Sequence, residues 1–197
     1  MQTEGVLVID TGEIQNRNGE TEEPARNIIR QGDYIISFNG EKISTKRELI
    51  DDISELDGSE VTLGISRKGE SIPVSVTPVK DKKGDYKLGI WVRDDTQGIG
   101  TLTYVDQNGN YGALGHGISD IDTAQLLNIR NGALYKARIL AINKGSKGNP
   151  GELAGYICYD DRNILGTIEA NSRNGIYGQF TGCLLYTSPS PRDRSVS

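Results

Sequence analysis

The sequence predicts a mainly β protein with minor α structure, built as two small domains. Its 197 residues include 25 glycines and only 35% apolar residues, a combination that favours short strands joined by tight turns. Asparagine–glycine turn pairs recur along the chain, at residues 39–40, 108–109, 131–132 and 174–175. A polar segment at residues 80–86, KDKKGDY, is the predicted linker between a first domain of residues 1–79 and a second of residues 87–180.

The first domain is predicted to contain four strands and one helix. Apolar runs at residues 6–9 and 34–38 predict two strands. Residues 60–65 and 72–78 predict a hairpin, because they alternate in polarity on either side of a glycine-containing turn.

The predicted helix covers residues 45–56 and carries a signal at each end. Thr45 and Glu48 have the spacing of a capping box at the N-terminus. Gly58 follows the segment, where a C-terminal cap is expected. One face of the helix is apolar and consists of Leu49, Ile53 and Leu56.

The second domain is predicted to be an antiparallel sheet that closes into a barrel. Short apolar segments alternate with turn signals and helix signals are scarce. The predicted strands are residues 87–92, 100–105, 111–114, 133–143, 152–159 and 163–169.

The strongest candidate for a functional residue is the single histidine, His116. It lies between Gly115 and Gly117, directly after an apolar strand segment, where an imidazole can stand in a cleft. An imidazole can take and return a proton near neutral pH, but a solitary histidine is more often structural than catalytic. Asp120 and Asp122 follow, and they either cap the segment or contact the imidazole.

Three other polar residues have simple structural interpretations. Ser119 is too close to His116 along the chain to be presented as its nucleophile and is predicted to be a turn hydroxyl. Asp160 and Asp161 are predicted to form a turn between strands, with the alternative that one of them orients the histidine.

Composition argues against several classes of function. The 22 basic and 27 acidic residues give a net charge of −5, and no basic cluster suggests nucleic-acid binding. Cys158 and Cys183 have neither a metal-site spacing nor a disulfide framework, so no metal and no cofactor are predicted. No apolar run approaches the roughly 20 residues needed to cross a bilayer.

The segment YGALGHGISDIDT, residues 111–123, closely resembles the histidine motif of the stage IV sporulation protein B family. The segments at 88–94, 98–101, 144–152 and 162–168 resemble other parts of that family, and the similarity covers about residues 3–180. These proteins are PDZ-containing serine peptidases of spore-forming bacteria, and the resemblance implies a trypsin-like β-barrel peptidase domain in which His116 is the general base. It also implies cleavage of the protein itself and of a regulator of the complex that processes a sporulation sigma factor.

Family members are exported and membrane-anchored, and they act between the mother cell and forespore membranes. The resemblance therefore implies a protein or peptide substrate and membrane association through an N-terminal segment missing from this sequence. It leaves the oligomeric state open.

The first domain resembles a bacterial PDZ domain at residues 31–35, QGDYI, and 38–40, FNG. Such domains usually carry Ala-Gly before this turn, whereas this chain has Asn27 and Ile28, which predicts a variant helix or loop. The family's carboxylate-binding loop is expected to precede Met1, so the peptide-binding residues are not assigned.

The family's nucleophile lies in a Ser-Gly-Ser-Pro type motif, and residues 117–180 contain none. Ser188 and Ser190 resemble it superficially but lack the glycine, and residues 181–197 are predicted to be a non-native tail. The chain is therefore expected to be a truncated, inactive fragment with exposed apolar edges. The alternative is a non-catalytic PDZ peptide-binding module.

Overall fold

The structure is a computed structural model that describes residues 1–182. Its first part contains one helix, α1 (Lys46–Ser54), and nine strands: β1 (Gln2–Thr11), β2 (Ile14–Gln15), β3 (Thr21–Glu22), β4 (Tyr34–Phe38), β5 (Glu41–Lys42), β6 (Val61–Arg67), β7 (Glu70–Val76), β8 (Val79–Lys80) and β9 (Tyr86–Lys87).

The rest of the described chain contains nine further strands and a short 3₁₀ helix, Asp161–Asn163. The strands are β10 (Ile90–Asp95), β11 (Leu102–Val105), β12 (Asn110–Ala113), β13 (Ile129–Tyr135), β14 (Ala137–Asn143), β15 (Glu152–Ile157), β16 (Ile164–Ile168), β17 (Ala170–Ser172) and β18 (Gly175–Gln179). The mainly β prediction is confirmed, and every pairing between these strands is antiparallel.

The sheet of the first domain contains β1, β4, β6 and β7 in that order. Its core is a single apolar cluster between the sheet and α1 that includes Val6, Ile35, Leu49 and Leu63, each no more than 1% exposed. All four predicted strands are present, but β1 begins four residues earlier than the apolar run. Backbone pairing, which the apolar pattern does not report, extends the strand to Gln2.

Helix α1 begins at the predicted cap. The Glu48 N–H donates to Thr45 Oγ1, and the Thr45 N–H donates to Glu48 Oε2, each at 3.2 Å. The helix ends at Ser54, earlier than predicted, and Glu55 is its C-cap. Gly58, with φ of +103°, lies in the following loop instead of capping the helix. In this loop Tyr86 packs against Gly58 and donates its hydroxyl to the Asp57 carbonyl.

The segment before the Gly32 turn was predicted to be a variant helix or a loop. It is a loop made of successive turns. Asn27 has φ of +61°, a left-handed conformation that asparagine adopts more readily than most residues. The neighbouring Ile28 carbonyl accepts a hydrogen bond from Arg67 Nη2 at 2.9 Å.

The segment predicted as a linker is ordered. β8 and β9 pair as a hairpin, and the Asp81 carboxylate accepts the N–H groups of Lys83, Gly84 and Asp85 across its turn. The strand expected at residues 87–92 is β10, displaced toward the C-terminus, where it pairs with β1.

In the second domain one strand prediction is wrong and two strands were not predicted. The segment 133–143, expected as one strand, is divided between β13 and β14 at Lys136, whose N–H donates to the Asn163 carbonyl and whose carbonyl accepts the Cys158 N–H. β17 and β18, after residue 169, were not predicted.

The first strand joins the two halves of the described chain. β1 pairs with β4 through Val6 and Leu7, and with β13 through Gln2 and Thr3. The resulting sheet has the order β16–β13–β1–β4–β6–β7. β10 also pairs with β1, along the edge opposite to the one that pairs with β4 and β13. A second sheet, ordered β11–β12–β18–β17, approaches β16 through a bridge between Gly166 and Phe180.

No helix in residues 1–182 is both long and apolar enough to cross a membrane. The predicted tail falls almost entirely on residues 183–197, together with Cys183, Ser188 and Ser190, and these lie outside the described residues.

Candidate functional site

His116 lies at the end of β12, where the chain reverses direction. Leu114 and Gly115 have φ of +75° and +72°, so two consecutive left-handed residues lead into the histidine. The side chain is exposed and borders a cavity of about 730 Å³. Its Nδ1 lies 3.0 Å from the Gly117 carbonyl, which can only accept. A hydrogen bond at this position requires the Nδ1–H tautomer, in which Nε2 keeps the lone pair that a general base needs.

The two flanking glycines have different physical roles. Gly115 needs its left-handed backbone, and a Cβ there would meet open space. Gly117 lies against the Ser172 carbonyl and the Leu126 side chain, and any Cβ would overlap both. The first glycine lets the chain turn, and the second lets the histidine segment approach β17.

The segment after the histidine, residues 117–127, is called here the histidine loop. The Ile118 N–H donates to Asn171 Oδ1 at 2.8 Å, and Asn171 Nδ2 donates to the carbonyls of Ile118 and Leu127 at 2.7 and 2.9 Å. The amide of Asn171 thus closes the base of the loop. No local sequence pattern marks Asn171, because its partners lie more than 40 positions away.

Asp120 fixes the tip of the histidine loop and is 3% exposed. Its Oδ1 accepts the N–H groups of Asp122 and Thr123 at 3.0 and 2.9 Å, and its Oδ2 pairs with Arg93 Nη1. Burial alone would raise the pKa of Asp120. The hydrogen bond from Thr123 and the guanidinium of Arg93 outweigh burial and leave that pKa below its ordinary value.

The structure thus places Asp120 in the first of its two predicted roles, capping the loop. Asp122 is exposed and accepts from Arg93 Nη2 at 2.9 Å. Within residues 1–182, neither the Asp120 nor the Asp122 carboxylate hydrogen-bonds to the imidazole of His116, which contacts the Gly117 carbonyl. Arg93 was missed by sequence analysis, since nothing local distinguishes it from a surface arginine.

Asp160 and Asp161 lie in the turn between β15 and β16, as predicted, whereas Ser119 takes part in a β-bridge instead of a turn. Asp160 caps the 3₁₀ helix by accepting the Arg162 N–H at 2.9 Å and pairs with the side chain of the same arginine. Ser119 is exposed in the histidine loop, where it bridges to Leu126.

The cavity beside His116 has an apolar wall and a polar rim. Its wall draws on both sheets and includes Leu102, Leu114, Ile118, Leu134, Ile168 and Ile176. At the rim the Tyr159 hydroxyl bonds to Gln97, and the Tyr159 ring packs edge-on against Tyr135. Among the described residues, no three histidine, cysteine or acidic side chains are grouped as metal ligands.

A second cleft, called here the groove, separates α1 from β10 and has a volume of about 950 Å³. One side of β10 pairs with β1, and its other edge faces α1. The apolar lining includes Leu49, Ile50, Ile53, Ile90 and Trp91. At one end, the Lys46 N–H at the start of α1 donates to Asp94 Oδ2 at 2.7 Å.

Comparison with known proteins identifies the family. A family model described as SpoIVB peptidase S55 matches residues 84–191, more than half of the chain, and a model described as PDZ domain matches residues 1–77. The chain therefore belongs to the SpoIVB peptidase S55 family and carries a PDZ domain, as the resemblance predicted.

Individual relatives cover smaller parts of the molecule. A protein of Lactococcus lactis subsp. lactis with the provisional name zinc metalloprotease is 38% identical over 78 residues, which are 38% of this chain and 18% of that protein. The chain thus matches less than a fifth of the length of this relative.

Two solved structures are also similar. The PDZ domains of SdrC-like proteins from Listeria monocytogenes and Listeria innocua are 22% and 24% identical, with TM-scores of 0.38 and 0.39. Each comparison covers 47% of this chain, and 90% and 97% of the respective solved chain.

Proposed function

We propose that this chain is the PDZ domain and the histidine-bearing part of a sporulation serine endopeptidase, with His116 as its general base. The observation that carries the proposal is the exposed imidazole beside a cavity, with Nδ1 bonded to the Gly117 carbonyl and Nε2 left to accept a proton. Membership of the peptidase family supports the same chemistry.

In this mechanism, Nε2 of His116 removes the proton from a serine hydroxyl as the hydroxyl attacks the substrate carbonyl. The protonated imidazole then returns the proton to the leaving amine. The Gly117 carbonyl would fix the tautomer and the ring orientation, a task that a carboxylate performs in many serine peptidases.

The serine itself is proposed to come from native sequence that follows the region described here. Residues 117–180 contain no Ser-Gly-Ser-Pro motif, so the chain by itself is expected to lack peptidase activity. By the family resemblance, the full-length protein would be exported and membrane-anchored between the two membranes around the forespore. Its substrates would be itself and a regulator of the complex that processes the sporulation sigma factor.

The test begins with the source DNA, read through the codon for Phe180. A reading frame that continues to a glycine-flanked serine allows the full-length protein to be expressed and followed for self-cleavage. His116→Ala should slow cleavage on the order of 10²–10⁴-fold, the usual contribution of general acid–base catalysis. Lys147→Ala, in the exposed turn between β14 and β15, is the matched control and should cleave normally.

Either of two results would overturn the peptidase proposal. The first is unchanged self-cleavage in the His116→Ala variant. The second is a native reading frame that stops at Ser197 without a serine motif, in which case peptide binding becomes the leading function.

Peptide binding is the second candidate function, and the groove favours it. An extended peptide could add as a strand to the edge of β10 that pairs with no strand of residues 1–182, and place alternate side chains against the apolar face of α1. The only tryptophan, Trp91, lines the groove and is 65% exposed, so it is a built-in reporter.

The probe is a short peptide that ends in valine with a free carboxylate, and its C-terminal amide is the comparison. Binding should change the Trp91 fluorescence and be lost in Ile50→Asp, which puts a charge into the groove. Ile139→Asp changes an exposed isoleucine of β14 outside the groove and should bind normally. If neither peptide changes the Trp91 fluorescence, binding of such peptides in the groove is excluded.

A further inference from the structure

Arg93 connects the strand that borders the groove with the loop that follows His116. It lies in β10, where its backbone is opposite Leu7 of β1. Its side chain leaves the sheet and pairs with Asp120 through Nη1 and with Asp122 through Nη2. The arginine therefore bridges the tip of the histidine loop to the sheet of the PDZ domain.

The two ends of the histidine loop are held by different parts of the molecule. Asn171 of β17 closes its base with three hydrogen bonds. Its tip is held by Arg93 and by Gln31, whose Nε2 donates to the Asp122 carbonyl at 3.0 Å. Of these tip contacts, only the pair with Asp120 is buried, since that side chain is 1% exposed.

Burial of Asp120 makes Arg93 the critical tip contact. A buried carboxylate without a partner is strongly destabilising, so loss of Arg93 favours a loop conformation that returns Asp120 to water. The loop is short, and Gly117 is packed against Ser172 at its base. Only residues 117–119 separate Asp120 from His116, so a displaced tip pulls on the residues next to the histidine.

We propose that Arg93 is a positioning residue that sets the orientation of His116 through Asp120 and the histidine loop. The proposal deepens the proposed function and rests on it. It assigns Arg93 no contact with substrate. β10 both borders the groove and carries Arg93, so a change in the conformation of this strand would also change the orientation of His116.

Arg67 offers a matched control within the same chain. It makes two hydrogen bonds to Asp33, whose side chain is 2% exposed, so it is also an arginine bound to a buried aspartate. Its partners belong to the PDZ domain and do not include the histidine loop. Loss of Arg67 should therefore lower stability and disturb the surroundings of His116 less than loss of Arg93, because it reaches the histidine loop only indirectly, through the turn that carries Gln31.

The experiment uses the single histidine as a spectroscopic reporter in the chain as it stands. Carbon–proton correlation spectra of the imidazole Cε1–H would be compared for the wild type, Arg93→Ala and Arg67→Ala. We expect the His116 signal to shift by more than its line width, or to split, in Arg93→Ala and to shift less in Arg67→Ala. Amide exchange at Asp122 and Thr123 should also accelerate more in Arg93→Ala than in Arg67→Ala, because both amides donate to Asp120.

If an alanine variant does not fold, the pair Arg93→Lys and Arg67→Lys replaces it. Lysine keeps the charge but cannot reproduce the bidentate fork, so Arg93→Lys should shift the signal in the same direction and by less than Arg93→Ala. An unchanged His116 signal in folded Arg93 variants, or an equal change in the Arg67 variants, would overturn the proposal. If the His116 signal changes in the Arg93 variants but the full-length protein has no peptidase activity, the positioning role of Arg93 is supported. Only the proposed function is then contradicted.

Discussion

Arg67 and Asp33 form a bidentate ion pair within the PDZ domain. Arg67 Nε donates to Asp33 Oδ1 at 2.8 Å, and Nη2 donates to Oδ2 at 2.7 Å. The same Nη2 also reaches the Ile28 carbonyl, in the loop that departs from the usual PDZ sequence. The pair thus ties β6 to the loop before β4 and satisfies a carbonyl that the turns leave unpaired.

Removal of Arg67 should destabilise the domain strongly. Arg67→Ala leaves a carboxylate that is 2% exposed without its partner, which typically costs about 3–5 kcal/mol in the free energy of unfolding. Urea denaturation followed by far-UV circular dichroism measures this change. Arg26→Ala, whose pair with Glu23 is largely exposed, is the control and should change little. Equal effects of the two variants would contradict the burial argument.

The histidine loop should reject a side chain at Gly117 more strongly than at Gly115. Gly117→Ala forces a Cβ against the Ser172 carbonyl and should cost about 1–3 kcal/mol, as overpacking does. Gly115→Asn meets open space and retains access to the left-handed backbone, so it should cost less. Denaturant midpoints of the two variants decide the order, and a reversed order would show that the backbone angle dominates.

The capping box should contribute measurably to α1. Thr45→Ala removes the acceptor of the Glu48 N–H and should lower the free energy of unfolding by about 1 kcal/mol. Thr77→Ala, at an exposed threonine outside the helix, serves as the control. Indistinguishable thermal midpoints for the two variants would mean that tertiary packing alone holds the helix end.

Asp120 should make the stability depend on acidic pH. Its pKa is lowered in the folded state, so its contribution is fully present above the unfolded value of about 3.9 and is lost as pH falls through the folded pKa. Asp120→Asn should therefore be less stable than the wild type at neutral pH, and the difference should shrink below about pH 4. Urea titrations at several pH values measure the difference, and a constant gap across this range would contradict the assignment.

The hairpin of β14 and β15 should limit solubility. Leu140 and Ile142 are 72% and 69% exposed, and β14 is exposed along its whole length. Replacing both with lysine should reduce light scattering at high protein concentration, because an exposed apolar patch promotes association. Ser71→Lys with Ser75→Lys adds the same charge on β7 without removing apolar surface. Equal improvement from both pairs would indicate a charge effect instead.

The local features of this protein follow from its sequence. A continuous apolar run predicts β4, and alternating polarity predicts β6 and β7, because a strand of this sheet must bury at least one face. Thr45 and Glu48 predict the start of α1, since a capping box needs only residues three apart. The motif around His116 likewise locates the candidate base and its flanking glycines.

The contacts that hold the candidate site depend on the tertiary structure. Arg93 and Asn171 meet the histidine loop from strands far away in sequence, and no local pattern marks either residue. The division at Lys136 also depends on partners, Asn163 and Cys158, that only folding brings near. The sequence determined most strands of the PDZ domain, the start of α1 and the candidate base, because those depend on neighbouring residues. The three-dimensional fold decided what surrounds that base, because hydrogen bonds and ion pairs between distant segments exist only once the sheets have assembled.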